Sequence, residues 1–398
     1  MHAAPAPIDQ AALEPVTAPL GKACTLPAAA YLSDEVFAWE REWLFARTWV
    51  CLGRGADLLG PGQVRAVGAA GESILLTRDG AIAAFSNVCR HRGHELVELG
   101  PARDLRLIRC PYHSWTYTLE GSLRSAPVVT HSPDFDRADY PLVPIRIAEW
   151  HGFLWANLSG DALELVEHLG NLGDELSGYQ LHELVRAAHH EYLIEANWKV
   201  VVENYSECYH CSSIHPDLCR ISPPESGRDL DSTGMWFGGP MDLREGAETM
   251  SMDGRSAGMP IPGLAAARLR QVLYVALFPN LLVSAHPDYV MTHRLEPLAP
   301  DGTRIVCEWL FPREAVDRTG FDPSYAVDFW DLTNRQDWAV CEGVQRGMRH
   351  RGYRQGILST WEGTVYQFNQ IIAGAYAGKG LQVPVRPQVS KRPTELLP

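Results

Sequence analysis

Four residues in two short segments constrain this chain more than anything else in it. Cys89-Arg90-His91 is followed, after eighteen intervening residues, by Cys110-Pro111-Tyr112-His113. Two thiols and two imidazoles at C-x-H and C-x₂-H spacing form a metal ligand set, since both donor types bind borderline cations once deprotonated. Two occupants suit it. Zinc would take all four donors tetrahedrally. A two-iron cluster would take both thiolates on one iron and both imidazoles on the other, which raises its potential above that of an all-cysteine cluster.

The surroundings choose between them. A zinc finger places its second pair on a helix, whereas both pairs here fall in loops between candidate strands. Those strands are Ser73–Thr77, Ala81–Phe85, Leu105–Ile108, Trp115–Leu119 and Phe153–Leu158, with turn signals at Gly53, Gly60-Pro61-Gly62 and Asp79-Gly80. The segments Cys89 to Gly93 and Cys110 to Trp115 resemble the two loops of Rieske [2Fe–2S] domains.

A second constellation follows. Asn197 to His210 reads as a helix continuing to Ser213, with Glu203, Glu207, His210 and Cys211 on one face. Two acids, a histidine and a cysteine do not make a packing face. Pro216 disfavours helical geometry at His215, so the helix should break and let His210 and His215 converge. Two histidines and one carboxylate make the facial triad of non-haem Fe(II) oxygenases. A helix expected over Pro323–Met348 carries Val327, Trp330, Asn334, Asp337, Cys341, Val344 and Met348 on one buried stripe. An unpaired carboxylate in such a stripe is costly, and a metal bond at Asp337 removes that cost. Asp328, Asp331 and Glu342 lie off the stripe and read as solvated.

Competing readings are weaker. Cys208, Cys211, His215 and Cys219 approach a zinc-knuckle spacing without its gaps. His286, Asp288 and His293 hint at another metal site, but a turn or a surface strand is the expectation. Cys24, Cys51, Cys307 and Cys341 read as small buried hydrophobes.

Together the two constellations resemble the α (oxygenase) subunit of the Rieske non-haem iron oxygenases, from about Ser33 past Met348. The resemblance implies an α+β chain. A small antiparallel β Rieske domain would precede a helix-grip (START/SRPBCC-like) catalytic domain, whose antiparallel sheet covers a long C-terminal helix. The boundaries expected are 1–46 for an N-terminal tail and helix, 47–155 for the Rieske domain and 156–398 for the catalytic domain. Cys89, His91, Cys110 and His113 would bind the cluster, and His210, His215 and Asp337 the Fe(II). Glu207 matches the family's bridging acid, which in a head-to-tail homotrimer links His210 to the cluster ligand His113 of the partner subunit. Asn204 joins Glu207 and Asp337 among the catalytic candidates. A Glu at the bridging position resembles the subgroup acting on choline, carnitine, glycine betaine and stachydrine. Thr333 to Asp337 and the Ser251-Met252-Asp253-Gly254 loop also look like that subgroup.

The resemblance implies a monooxygenase that hydroxylates or N-demethylates a methylated amine with O₂. The alternatives are an aromatic-ring-hydroxylating dioxygenase or O-demethylase and, further off, an electron carrier with no oxygenase activity. No G-x-G-x-x-G opens a helix after a strand, so NAD(P)H would act through a separate reductase, with or without a ferredoxin. Candidate pocket residues are Met235, Trp236, Phe237, Tyr289, Trp361, Tyr366 and Phe368, whose aromatic faces would hold a quaternary ammonium.

Composition sets outer bounds. The 398 residues exceed what one core usually serves. A net charge of −13 argues against nucleic acid as a partner. Nine cysteines, an odd number, argue against a fully paired disulfide framework. No apolar run reaches the ~18 residues of a membrane helix, and Met1 to Gly21 lacks the pattern of a signal peptide. A cytoplasmic protein with a loose N-terminal tail is expected.

Overall fold

The computed structural model describes residues 4–129 and 134–387. The chain divides into two compact units, Phe45–Ala162 and the remainder, so the first is inserted into the second.

The inserted unit is mostly antiparallel strand and loop, with short helical turns at Gly55–Leu58 and Arg137–Asp139. Its strands are β1 (Val50–Arg54), β2 (Gln63–Ala69), β3 (Glu72–Asp79), β4 (Ala81–Ser86), β5 (Arg103–Asp104), β6 (Ile108–Arg109), β7 (Thr116–Tyr117), β8 (Leu123–Ser125), β9 (Arg146–Trp150) and β10 (Phe153–Asn157). They form three sheets, ordered β1-β10-β9, β4-β3-β2-β5 and β6-β7-β8. Val64, Leu75, Ile108, Trp115, Tyr117 and Leu142 are part of the core beneath the two candidate cluster loops.

The larger unit holds one six-stranded antiparallel sheet: β11 (Val185–Ile194), β12 (Trp236–Asp242), β13 (Gln271–Leu277), β14 (Leu281–Ala285), β15 (Val290–Ala299) and β16 (Gly302–Phe311). Its spatial order is β11-β16-β15-β14-β13-β12. The long helix Ser324–Met348 and the helix Trp198–Tyr205 pack together, and the latter also touches β15. This is the mixed helix and antiparallel-sheet architecture expected. Edge strand β12 is approached closely at two glycines. A Cβ on Gly238 would meet the Tyr274 carbonyl oxygen at 2.2 Å, and one on Gly239 the Arg228 carbonyl oxygen at 1.8 Å. Gly239→Ala is therefore expected to cost about 1–3 kcal/mol of stability through overpacking, read as a lower midpoint in urea melts.

Several local expectations change. The Gly-, Pro- and Met-rich residues 234–263 open with strand β12 before the chain turns to loop. Strand β11 escapes the alternation test because Arg186, His189, His190 and Glu191 sit among its apolar residues. Helix Gly363–Tyr376 is buried over most of its surface, so it lacks the polar face that periodicity needs. The N-terminal segment is not loose. Ala6 N–H donates to the Tyr376 carbonyl at 2.9 Å, and the Trp39 indole donates to the Ala4 carbonyl at 3.0 Å. Ser33 does cap the helix Asp34–Glu40, its Oγ accepting from Val36 N–H.

Candidate metal centres

Asn197 starts the helix Trp198–Tyr205, its Oδ1 accepting from Lys199 N–H at 3.0 Å. The helix does not run on to Ser213. It stops at Tyr205, and a non-helical stretch leads to the short helix Cys211–Ile214. Glu207 is the reason. Its Oε2 accepts from the backbone N–H of Tyr209 and of His210 (3.1 Å), a local bond that competes with helix continuation. Glu203 consequently does not share a face with Glu207 and His210. It accepts from the Tyr31 hydroxyl at 2.6 Å, and burial lifts its carboxyl to about 7. His215 lies in the break before Pro216, which opens the next helix.

These breaks bring three side chains together. His215 Nε2 lies 2.8 Å from Asp337 Oδ1, His210 Nε2 lies 3.4 Å from the same oxygen, and the two Nε2 atoms are 3.2 Å apart. The tautomers follow from the other ring nitrogens. His210 Nδ1–H donates to Glu207 Oε1 at 2.5 Å and His215 Nδ1–H to Gln336 Oε1 at 2.7 Å. With both protons held there, two imidazole lone pairs and a carboxylate face one another. Three acceptors converging in a largely buried place require a cation. The three donor atoms lie within 4.8 Å of one another, close enough to share one ion. With no metal between them, a proton can serve as that cation: burial opposes a charged imidazole, yet Asp337 and Glu207 lift the His210 pKa to about 10.

Asp337 sits on the long helix among Trp330, Asn334, Cys341 and Met348, which are buried as expected. Val344 is not, at 41% exposure, although Met348 beyond it is buried. Asp331 and Glu342 are not merely solvated. Asp331 accepts from Tyr192 at 2.6 Å and Arg335 at 2.7 Å, and Glu342 accepts from the Glu195 N–H.

A cavity of about 1040 Å³, counting its open mouth, ends at His210, His215 and Asp337. Asn204 and Glu207 line it. Its aromatic wall is Tyr205, Phe237, Tyr274, Trp330, Trp338 and Trp361. Of the pocket residues expected, Phe237 and Trp361 are there, while Met235, Trp236, Tyr289, Tyr366 and Phe368 are not in the lining. Trp236 precedes Phe237 on β12 and faces the opposite side. Tyr289 lies behind Trp330, accepting from its indole N–H at 2.8 Å. Phe368 packs on Trp198 and Phe237, and Tyr366 on the Ala23–Leu358–Val365 cluster.

His286 and Asp288 lie in the turn between β14 and β15, one of the two expected placements, while all three residues are buried, so no surface strand carries them. Asp288 instead accepts from Thr249 (2.6 Å), Ser256 (2.5 Å) and Tyr325 (2.6 Å), pinning the loop after β12. Cys208 and Cys211 form a disulfide, which removes both from any knuckle.

In the inserted unit the two loops have parallel construction. Gly93 N–H donates to the Cys89 carbonyl at 3.0 Å and Ser114 N–H to the Cys110 carbonyl at 3.1 Å, with left-handed backbone at both donors (φ 74° and 61°). Such turns aim Cys89 and His91 from one loop, and Cys110 and His113 from the other. The His91 and His113 ring centroids are 4.6 Å apart, and Trp115 stacks on His91 at 4.9 Å. His91 Nδ1 is buried and has no hydrogen-bond partner, as a nitrogen awaiting a metal would be. Tyr117 was missed from sequence. Its hydroxyl lies 3.4 Å from Cys89 Sγ and accepts from Arg90 N–H at 3.0 Å, which directs its own proton toward the sulfur. Only its place two residues after Trp115 hinted at this.

Residues 181–378 match the family described as ring hydroxylating alpha subunit (catalytic domain), and residues 48–138 match the Rieske [2Fe-2S] domain. The glycine betaine monooxygenase oxygenase subunit of Chromohalobacter salexigens is 31% identical over 375 residues, covering 86% of this chain and 84% of that one. The carnitine monooxygenase oxygenase subunit of Acinetobacter pittii is 38% identical over 198 residues, covering 49% of this chain and 53% of that one. A solved quaternary ammonium Rieske monooxygenase, described for carnitine oxidation and inter-subunit electron transfer, superposes with a TM-score of 0.77. It is 25% identical, with 94% of this chain and 100% of that chain covered.

Proposed function

Because the chain belongs to the Rieske-type ring-hydroxylating oxygenases, as an oxygenase (α) subunit, we propose that it hydroxylates and N-demethylates a methylated or quaternary ammonium compound. It is an oxidoreductase that uses a Rieske [2Fe–2S] cluster and a mononuclear iron, within a multicomponent system that requires a reductase. When bound, these groups deliver electrons singly and activate O₂ for insertion into a C–H bond.

Cys89, His91, Cys110 and His113 would hold the cluster, with Tyr117 directing its hydroxyl proton to the Cys89 sulfur. His210, His215 and Asp337 would hold the iron. Glu207 and Gln336 keep the Nδ1 protons in place, so that both Nε2 atoms stay available. The aromatic wall excludes water and offers π faces to an N-methylated cation, each worth ~0.5–2 kcal/mol. Hydroxylation of an N-methyl group gives a carbinolamine, which collapses to the demethylated amine and formaldehyde.

The aromatic cavity ending at the three donors carries this reading. Relatives named for glycine betaine, carnitine and choline support the substrate class. Incubating the reduced system with methylated amines and with aromatic acids tests it. Formaldehyde from a betaine is expected, whereas a cis-diol from a ring substrate would refute it in favour of a ring dioxygenase. Among the described residues no helix is long and apolar enough to cross a membrane, and we place the protein in the cytoplasm.

A head-to-tail homotrimer, in which Glu207 links His210 to His113 of the partner subunit, is the proposed assembly. In it Glu207→Gln would retain both metal centres, because Gln Oε1 still accepts from His210 Nδ1–H. The new amide would face the N–H groups of Tyr209 and His210. Electron arrival at the iron in single turnover is expected to slow by about 10–100-fold, the usual range for a residue supporting a ligand. An unchanged rate would eliminate this route.

A further inference from the structure

The Cys208–Cys211 pair has no part in the chemistry above. The two residues flank His210, with Cα atoms 4.9 Å apart, and both border the cavity that reaches the metal donors. Cys208 is partly exposed and Cys211 is buried at 4%. The other seven cysteines form no disulfide. With the pair closed, His210, His215 and Asp337 keep their donor atoms within 4.8 Å, and Glu207 keeps its bonds to His210. Closure is thus compatible with an intact donor set.

We propose that Cys208 and Cys211 are a reversible thiol–disulfide pair that consumes hydrogen peroxide at the metal site and closes without releasing the metal. This rests on the oxygenase reading. Dioxygen that takes up two electrons and two protons without a C–H bond to attack leaves as hydrogen peroxide. Exposure assigns the first step to Cys208. Its thiolate attacks one peroxide oxygen, the O–O bond breaks, and a sulfenic acid and hydroxide result; the hydroxide takes up the thiol proton to give water. Cys211 then attacks the sulfenic sulfur, forms the S–S bond and expels a second water. In sum, two thiols and one hydrogen peroxide give one disulfide and two waters, and the sulfurs supply the two electrons. A dithiol reopens the pair through a mixed disulfide.

The test uses the holoenzyme, reduced with dithiothreitol, desalted and exposed to hydrogen peroxide, then alkylated and digested. Cleavage at basic residues leaves Val200–Arg220, which also holds Cys219, so that peptide is expected to carry three alkyl groups before peroxide, one after it, and three again after dithiothreitol. Bound iron should stay constant throughout. Activity, relative to each protein's own untreated value, should return with dithiothreitol in the wild type and be lost irreversibly in Cys211→Ser, where Cys208 lacks a partner. Three alkyl groups persisting on that peptide at peroxide doses that inactivate would overturn the proposal. So would a bond that dithiothreitol does not open, or iron lost as the pair closes. The peptide measurement needs no substrate, so a failed amine panel beside a closing pair would sink the substrate reading alone.

Discussion

Asp337→Ala is expected to remove one iron per chain and to abolish product formation, while the visible spectrum of the cluster stays as it was. Asp337 supplies the only carboxylate among the three converging donors. Without it, two neutral imidazoles 3.2 Å apart remain, with no anion to balance a dication. The loss should exceed the ~10–100-fold that follows removal of a mere supporting hydrogen bond. Its position inside the long helix makes folding failure an improbable cause, because alanine favours helix and the substitution removes a buried charge. Iron analysis beside circular dichroism checks both points. Unchanged iron with unchanged turnover would show that Asp337 is not a ligand, whereas two irons per chain and no product in the unsubstituted protein would revive the electron-carrier alternative.

The second large effect concerns stability. Lys199 and Glu40 are fully buried, with Nζ 2.6 Å from Oε1. Glu40 Oε2 also accepts from the Trp198 indole at 3.0 Å, and Oε1 accepts from the Tyr376 hydroxyl. Burial pushes the Lys199 ammonium below its ordinary pKa, and Glu40 pulls it back. Lys199→Met leaves the Glu40 carboxylate buried without its cation, which is expected to cost about 3–5 kcal/mol. Glu40→Gln combined with Lys199→Met removes that orphaned charge, and much of the loss should return. Denaturant melts followed by tryptophan fluorescence measure both. If the double variant is no better than Lys199→Met, the effect lies in packing rather than in the unpaired charge.

The metal-bearing residues were legible because donor chemistry needs particular residue types at short spacing. The cysteine–histidine loops and the His210–His215 pair satisfy that need in a few residues each. Asp337 was legible because helix periodicity set it inside an apolar stripe. The break after Tyr205 was not, since it depends on the Glu207 side chain bonding backbone two and three residues on, where propensity favours helix. The aromatic wall was half-hidden for a topological reason. Tyr274, Trp330 and Trp338 come from β13 and the long helix, and only the sheet order brings them to Phe237. Val344 shows the reverse error, a residue that the spacing sets on the buried stripe and that is 41% exposed.

The insertion of Phe45–Ala162 into the larger unit bears on synthesis. Glu40 leaves the ribosome 159 residues ahead of Lys199. At ~5–20 residues per second that interval is on the order of ten seconds or more. During it the β-rich segment is complete and can fold by itself, while the helix Asp34–Glu40 presents Val36, Phe37 and Trp39 to water with nothing yet to cover them. The nascent chain therefore passes through a stage in which this early helix of the larger unit is its most vulnerable part. A chaperone that binds short apolar segments should engage it there, and should let go once Lys199 emerges.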